Sequence, residues 1–261
     1  MLFRSAGTLQ QRGTAGSDSQ VALTITGLGT DNGIESLDLN LRYGEILGVY
    51  GIAGSGRDAL GMAIFGSTKP TRGEIRVENR SIRLGAIQAT MEAGIGYVPA
   101  ERRTQGLLLE RSIKENISLA FLRKLAKWGL IQKEQESTSA QTWIDKLSVK
   151  TDNMENTVMS LSGGNQQKVL LSRWLLTGCR ILILDDPTRG VDIGSKLEIY
   201  ELLQKLAHQE KVAVMVITSD IEEVLKISDR IEVIRHGRSV LSQVNPTQEE
   251  VARAAYLEIV S

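Results

Sequence analysis

Residues Gly51 to Asp58 read Gly-Ile-Ala-Gly-Ser-Gly-Arg-Asp, with four residues between Gly51 and Gly56, at the end of an apolar run. Glycines so spaced between a strand and a helix let backbone N–H groups close around phosphate oxygens. A working loop adds a lysine for the terminal phosphates and a serine or threonine hydroxyl for magnesium. Here Arg57 and Asp58 stand in those places. Arginine keeps the charge but is planar and bulkier. A carboxylate at 58 opposes a polyanion unless magnesium lies between them, which makes Asp58 a candidate metal ligand. The candidate phosphate-binding residues are Gly51, Gly54, Ser55, Gly56, Arg57 and Asp58. A plain strand–turn–helix glycine cluster explains the same stretch equally well.

Further along lie three more stretches of chemical interest. In Leu161-Ser-Gly-Gly-Asn-Gln-Gln-Lys-Val169, residues Ser162, Gly163, Gly164 and Asn165 precede or open a helix. Their amides and the helix dipole form a second candidate anion site. The plainer reading is an N-cap, Ser162 or Asn165, with flexible glycines beside it. Next, Ile181-Leu-Ile-Leu-Asp-Asp-Pro-Thr-Arg-Gly-Val-Asp192 places Asp185 at the tip of a buried strand, where α/β sheets bind ligands and a carboxylate can organise magnesium. Asp186 follows beside it; alone, such a pair is more often a cap or turn former. Last, the run ending in Thr218 and Ser219 brings those residues to a neighbouring strand tip, or simply caps a helix.

The elements that must position these residues follow from periodicity. Residues 21–26, 36–41 and 45–50 read as strands, 58–66 as a helix, 73–77 as a strand, 84–94 as a helix and 95–99 as a buried strand. From about 105 to 160 the pattern is amphipathic and helical throughout. Then alternation returns: helix 165–177, strand 180–185, helix 194–208, strand 212–218, helix 220–227, strands 230–235 and 239–244, and a closing helix from Thr247. This predicts an α/β fold: a parallel-sheet core, an antiparallel β start and an inserted all-helical subdomain. Residues 1–18, rich in Gly, Ser, Thr and Gln, read as a linker or tail ahead of a domain over 19–261.

Bulk properties narrow the classes. With 31 basic and 31 acidic residues the chain has no net charge, which argues against a nucleic-acid surface built on bulk charge. A lone cysteine, Cys179, allows no intrachain disulfide and suits a reducing cytosol. No apolar run approaches the roughly 20 residues of a membrane helix, so a membrane role would need a partner.

The order of these motifs resembles an ATP-binding-cassette (ABC) ATPase domain, from about residue 21 to the C-terminus. The flavour of Gly44–Arg57, Leu161–Val169 and Asp185–Lys196 is similar to the second cassette of tandem ATPases that energise bacterial sugar importers. The resemblance implies a P-loop NTPase-type core, ATP and Mg²⁺ as ligands, and Asp185 as the magnesium-organising aspartate. It implies as partners a second cassette, membrane permease subunits and, indirectly, a solute-binding protein, at the cytoplasmic face of the plasma membrane. It also implies that Asp186 holds the attacking water and that Ser219 replaces the switch histidine, so these two are the candidate catalytic residues.

Several positions depart from the family pattern. Asp186 stands for glutamate, one methylene shorter, and a displacement of about 1 Å can cost on the order of 100-fold in rate. Ser219 has no titratable imidazole. Ala100 replaces a loop glutamine, and no aromatic occurs near residues 21–30 to stack on adenine. With Arg57 and Asp58, all belong to the pocket of this chain's own loop. The intact Ser162–Asn165 would serve a partner's ATP. The expectation is a degenerate own pocket, a signature lent to the partner, and weak activity of the chain alone. The alternative is a non-hydrolysing docking or regulatory half. A repair or translation ATPase is disfavoured: the insertion lacks sustained heptads, and basic RNA-facing segments are missing. Arg102 and Arg103 read as a solvated pair or a contact, Trp128, Trp143 and Trp174 as packing residues, and His208 and His236 as surface residues.

Overall fold

The computed structural model describes residues 19–256. The expected tail (1–18) and the last residues of the closing helix lie outside them.

The chain opens with β1 (Val21–Gly29), β2 (Leu37–Arg42) and β3 (Ile46–Tyr50), followed by α1 (Arg57–Phe65). Next come β4 (Arg72–Val77), β5 (Arg80–Ser81), α2 (Ile87–Glu92) and β6 (Ile95–Val98). The alternation Leu-Asp-Leu-Asn-Leu of β2 buries one face only, and β1, β2, β4 and β5 form an antiparallel sheet in the order β2-β1-β4-β5. Helix α2 is shorter than the pattern over 84–94 suggests, because Ala86 is already extended and Gly94 turns left-handed.

The insertion contains α3 (Ile113–Ser118), α4 (Leu122–Leu125) and α5 (Lys133–Lys146). It also contains an element the periodicity did not announce. Strands β7 (Ala126–Lys127) and β8 (Leu130–Ile131) make a hairpin around Trp128-Gly129. The helical period of the segment is broken there by two consecutive left-handed residues, at φ 55° and 80°.

After the insertion run α6 (Gly163–Leu176), β9 (Ile181–Asp185), α7 (Ile193–Gln204), β10 (Ala213–Thr218), α8 (Ile221–Ile227), β11 (Arg230–Arg235), β12 (Arg238–Val244) and α9 (Gln248–Tyr256). The central sheet has the order β12-β11-β3-β10-β9-β6. Five of its strands are parallel and β12 is antiparallel. Strands β3, β6, β9 and β10 are buried at every residue, as continuous apolar runs in a doubly covered parallel sheet must be. Phe65, Tyr97 and Trp174 meet between α1, β6 and α6, with ring centroids 5.4 and 5.3 Å apart. The Cys179 thiol is buried nearby in the same core, and burial pushes its pKa up to about 12.

Helix α6 ties the insertion to the sheet. Its Leu170, Leu171 and Trp174 pack in the core, while Arg173 reaches across to the insertion. Arg173 Nε donates to the Asn116 carbonyl at 2.7 Å, Nη1 to the Gly106 carbonyl at 2.5 Å and Nη2 to Asn116 Oδ1 at 3.1 Å. Burial lowers its pKa to about 10, yet the guanidinium remains charged at neutral pH. Replacing it with an apolar residue strands those acceptors without donors. Arg173→Met is expected to lower unfolding stability by about 3 kcal/mol, measured by urea denaturation. A change below about 0.5 kcal/mol would mean that water satisfies these carbonyls.

Candidate functional site

Three strand tips define the site. Tyr50 pairs with Thr218 and Ile217 with Asp185, so β3, β9 and β10 end level with one another. The loop after β3, the paired aspartates after β9 and Ser219 after β10 therefore share one edge of the sheet.

The loop starts at Gly51 and turns into α1 through Gly56, whose φ is 98°. A side chain there would lie 2.2 Å from the Gly33 carbonyl oxygen, so only glycine fits. The Ser55 carbonyl accepts from Gly237 N at 2.8 Å, pinning the loop to the β11–β12 turn. Arg57 is the first residue of α1, and its side chain is only 7% exposed. Its Nη2 lies 3.1 Å from Asp58 Oδ1 and its Nη1 3.5 Å from Asp186 Oδ2. Neither Nε nor Nη1 has a partner in hydrogen-bond geometry, so the Asp186 contact is ionic only.

A buried guanidinium with unused donors beside a glycine turn fits a phosphate oxygen. A metal fits less directly. No three carboxylate, imidazole or thiol groups converge among the described residues. Magnesium tolerates such a site when phosphates and water complete its shell. Asp185 suits that use by its place at the strand tip. Asp58 has its side chain 63% exposed and is paired to Arg57.

Asp185 is buried and accepts a hydrogen bond from the Tyr97 hydroxyl at 3.3 Å. Burial raises its pKa from 3.8 to about 7, with the neighbouring Asp186 and Asp58 adding to the rise and Arg57 opposing it. Asp186 adopts a left-handed backbone at φ 40° and accepts from the Ser219 amide at 3.2 Å. Thus the Ser219 contact to Asp186 runs through its backbone N–H. A cleft of about 330 Å³ opens here, lined by Arg57, Asp186, Thr188, Thr218 and Ser219 among others.

Glu223, which the sequence did not single out, joins the two tips from below. It accepts from Thr188 Oγ1 and Thr218 Oγ1, both at 2.6 Å, and from the Tyr200 hydroxyl at 3.3 Å. Burial raises its pKa. It falls on the buried stripe of α8 with Val224 and Ile227.

The second anion site lies at the start of α6. Ser162 is the N-cap, its hydroxyl accepting from Asn165 N at 3.5 Å and from Asn165 Nδ2 at 2.9 Å. Behind it, Arg102 Nη2 donates to the Gly190 carbonyl at 3.0 Å, Nη1 to the Arg189 carbonyl, and Nε to Gln166 Oε1 at 3.4 Å. A side chain at Gly163 would lie 2.8 Å from Arg102 Nη2, and one at Gly164 2.5 Å from Ser195 Cβ. Gly164 is thus required by the packing of α6 on the start of α7, which Asp192 caps through Ser195 N at 3.0 Å, while Gly163 faces the movable end of Arg102. Glu101 pairs with Arg189 at 2.7 Å, beside Ala100.

Of the two readings open for Arg102 and Arg103, Arg102 is a contact residue, while Arg103 is exposed. Two other sequence readings are corrected. Trp128 packs against nothing and is 93% exposed, because the hairpin holds it at its tip. His208 is half-buried, 3.0 Å from Asp229, a carboxylate that also accepts from Ile46 N at 2.8 Å. His236 is exposed as read.

A glycine loop, a strand-end aspartate pair, a Ser-Gly-Gly helix start and a helical insertion on one parallel sheet describe an ABC cassette. Residues 34–189 match the family model for the ABC transporter, and the chain belongs to that family. It is 40% identical over 238 residues to the ribose import ATP-binding protein RbsA 2 of Streptomyces avermitilis, covering 90% of this chain and 47% of that protein. It is 42% identical over 223 residues to the ribose import ATP-binding protein RbsA of Geobacillus kaustophilus, covering 85% and 45%. The chain thus spans just under half the length of these relatives. Among solved structures, a nucleotide-free ATP-binding cassette from an ABC transporter superposes with a TM-score of 0.77 at 19% identity, covering 91% of this chain and all of that one. A bacterial cassette solved as a dimer gives 0.72 at 24% identity, covering 86% and 99%. Among the described residues no helix is long and apolar enough to cross a membrane.

The raised Asp185 pKa has a stability consequence. The folded chain binds this proton more readily than the unfolded chain, so the stabilising contribution is complete below about pH 4 and is lost as pH rises toward 7. Asp185→Asn removes that loss. The variant is expected to gain stability over the wild type between pH 5 and pH 8, by as much as about 4 kcal/mol. Urea midpoints at the two pH values test this. A difference between the chains that does not change with pH would refute it.

Proposed function

We propose that the chain is one nucleotide-binding cassette of an importer for sugars or sugar-like solutes. In this reading it works at the cytoplasmic face of the plasma membrane, beside permease subunits and a second cassette, with a solute-binding protein as a more distant partner. The second cassette would lie in the same longer chain or in another subunit. ATP, with magnesium to neutralise and orient its phosphates, would be bound and hydrolysed at composite pockets, each formed by one cassette's loop and the other's Ser-Gly-Gly segment.

The chain's own pocket is the degenerate one. Arg57 is engaged by Asp58 and Asp186 at 3.1 and 3.5 Å, so a phosphate entering the loop must compete with two carboxylates. Asp186 is short for the role of holding water, and the Ser219 amide already occupies one of its oxygens. The Ser162 site is in the opposite condition. Ser162 is exposed and Gly163 half-buried at the start of a 14-residue helix, backed by Arg102, and among the described residues no carboxylate is bonded to either. That contrast between the two anion sites is the observation that carries the proposal. In a partner's pocket the amides of Gly163 and Gly164 would face the terminal phosphate, adding positively polarised N–H groups where charge develops. The 189–192 segment would lie along the boundary between cassettes, and the insertion would pass their separation to the permease. The roughly 40% identity to ribose import ATP-binding proteins supports sugars as the transported class.

Calorimetry of magnesium ATP tests the reading, with the chain alone and mixed with a cassette whose loop is intact. The chain alone is expected to show no measurable binding heat and negligible turnover. Mixing should tighten the partner's binding by about tenfold or more, and Ser162→Arg should abolish that gain. Turnover by the lone chain at the rate of a complete transporter would defeat the proposal, as would a gain that survives Ser162→Arg.

A further inference from the structure

One stretch of the insertion departs in composition from the rest of the molecule, although Glu110, Glu115, Glu136 and Glu155 share a concavity with its Leu119, Ile131 and Lys133. From Asn116 to Lys133 there is no acidic residue, in a chain whose 31 bases are balanced by 31 acids. Arg123, Lys124, Lys127 and Lys133 fall in this span, and all are exposed. No ion pair or hydrogen bond fixes their side chains among the described residues; Lys124 only rides 5.2 Å over the Phe121 ring.

The β7–β8 hairpin projects from the middle of this span. Lys127 pairs with Leu130 and Ala126 with Ile131. The tip is Trp128-Gly129, with φ 55° and 80°. A two-residue turn with both residues left-handed favours Asn-Gly, and a bulky aromatic in the first place is strained. Strain of this kind persists where something else requires the residue. Packing does not require it, for Trp128 is 93% and Leu130 71% exposed. Ile131 and Leu119 are bared beside them.

We propose that this hairpin rests on an anionic lipid bilayer, with Trp128 and Leu130 entering the headgroup layer and the four bases meeting lipid phosphates. An indole is suited to that depth, because its ring is apolar and its N–H needs a wet partner. Lysine and arginine lay their stems along apolar surface and carry their charge to the phosphate level. Bases that nothing in the chain holds in place fit a fluid sheet of anions better than a partner protein's fixed carboxylates, which would need matched geometry. The inference does not depend on the nucleotide reading: a chain that binds no ATP would still bind vesicles.

The test is co-sedimentation of the chain with vesicles of phosphatidylcholine alone and of an equal mixture with phosphatidylglycerol. Binding to the anionic vesicles is expected to be at least about 25-fold tighter, and to fall steeply between 20 and 300 mM salt, as exposed charges are screened. The charge reversal K124E/K127E should weaken it by about 25-fold or more. Trp128→Asn separates binding from folding, because asparagine suits the turn. It should raise the unfolding midpoint and at the same time weaken vesicle binding and remove most quenching by brominated lipid. No sedimentation, equal binding to both vesicle types, or quenching unchanged in Trp128→Asn would each overturn the proposal. Permease binding that K124E/K127E abolishes, with vesicle binding absent, would assign the surface to protein instead.

Discussion

The level ending of β3, β9 and β10 is the constraint on which the rest depends. Parallel pairing fixes Tyr50 beside Thr218 and Ile217 beside Asp185, and a slip of one residue would exchange the two packed faces and misalign the strand tips. Because all three strands are apolar up to their last residue, the register is held by the core and not by the polar groups at its edge. The edge is therefore free to carry groups that weaken the fold. Asp185 buried as a carboxyl, Asp186 in a left-handed backbone and Arg57 with unused donors are all unfavourable in isolation. Glu223 limits the damage by tying Thr188 to Thr218 beneath them.

Much of this was legible in the residue order. Four strands apolar up to their ends announce a covered parallel sheet, and the placement of Gly51–Gly56, Ser162–Asn165 and Asp185 at or beyond those ends identifies the edge. The pairing of Arg57 with Asp186 was not legible, because it joins residues 129 positions apart in the sequence through a side-chain rotamer. Glu223 was hidden for a different reason. An acidic residue on an amphipathic helix is normally read as solvated, and only the hydroxyls of Thr188, Thr218 and Tyr200 make its burial tolerable. The Trp128 hairpin was masked by a helical period that continues on both sides. Two left-handed residues override local propensity there, and glycine at 129 was the sole clue.

The two anion sites differ in how charge is arranged around them. At the loop, positive charge comes from one side chain and is answered by carboxylates on either side. At the start of α6 it comes from backbone dipoles, and among the described residues no carboxylate is hydrogen-bonded to Ser162 or Gly163. A site made of amides cannot be titrated, and Gly164 is held by its contact with Ser195.

Helix α6 has one more property. It begins at the open amides of Gly163 and carries, at Arg173, the anchor that grips the carbonyls of Gly106 and Asn116 in the insertion. At 1.5 Å per residue the two points are about 15 Å apart along a single rigid rod. A tilt of about 10° about the Arg173 end would sweep the amides through about 2.6 Å, close to the length of a hydrogen bond. Under the proposed function, a rotation of the insertion of that size would shift the α6 amides by about one hydrogen-bond length against a partner's phosphate.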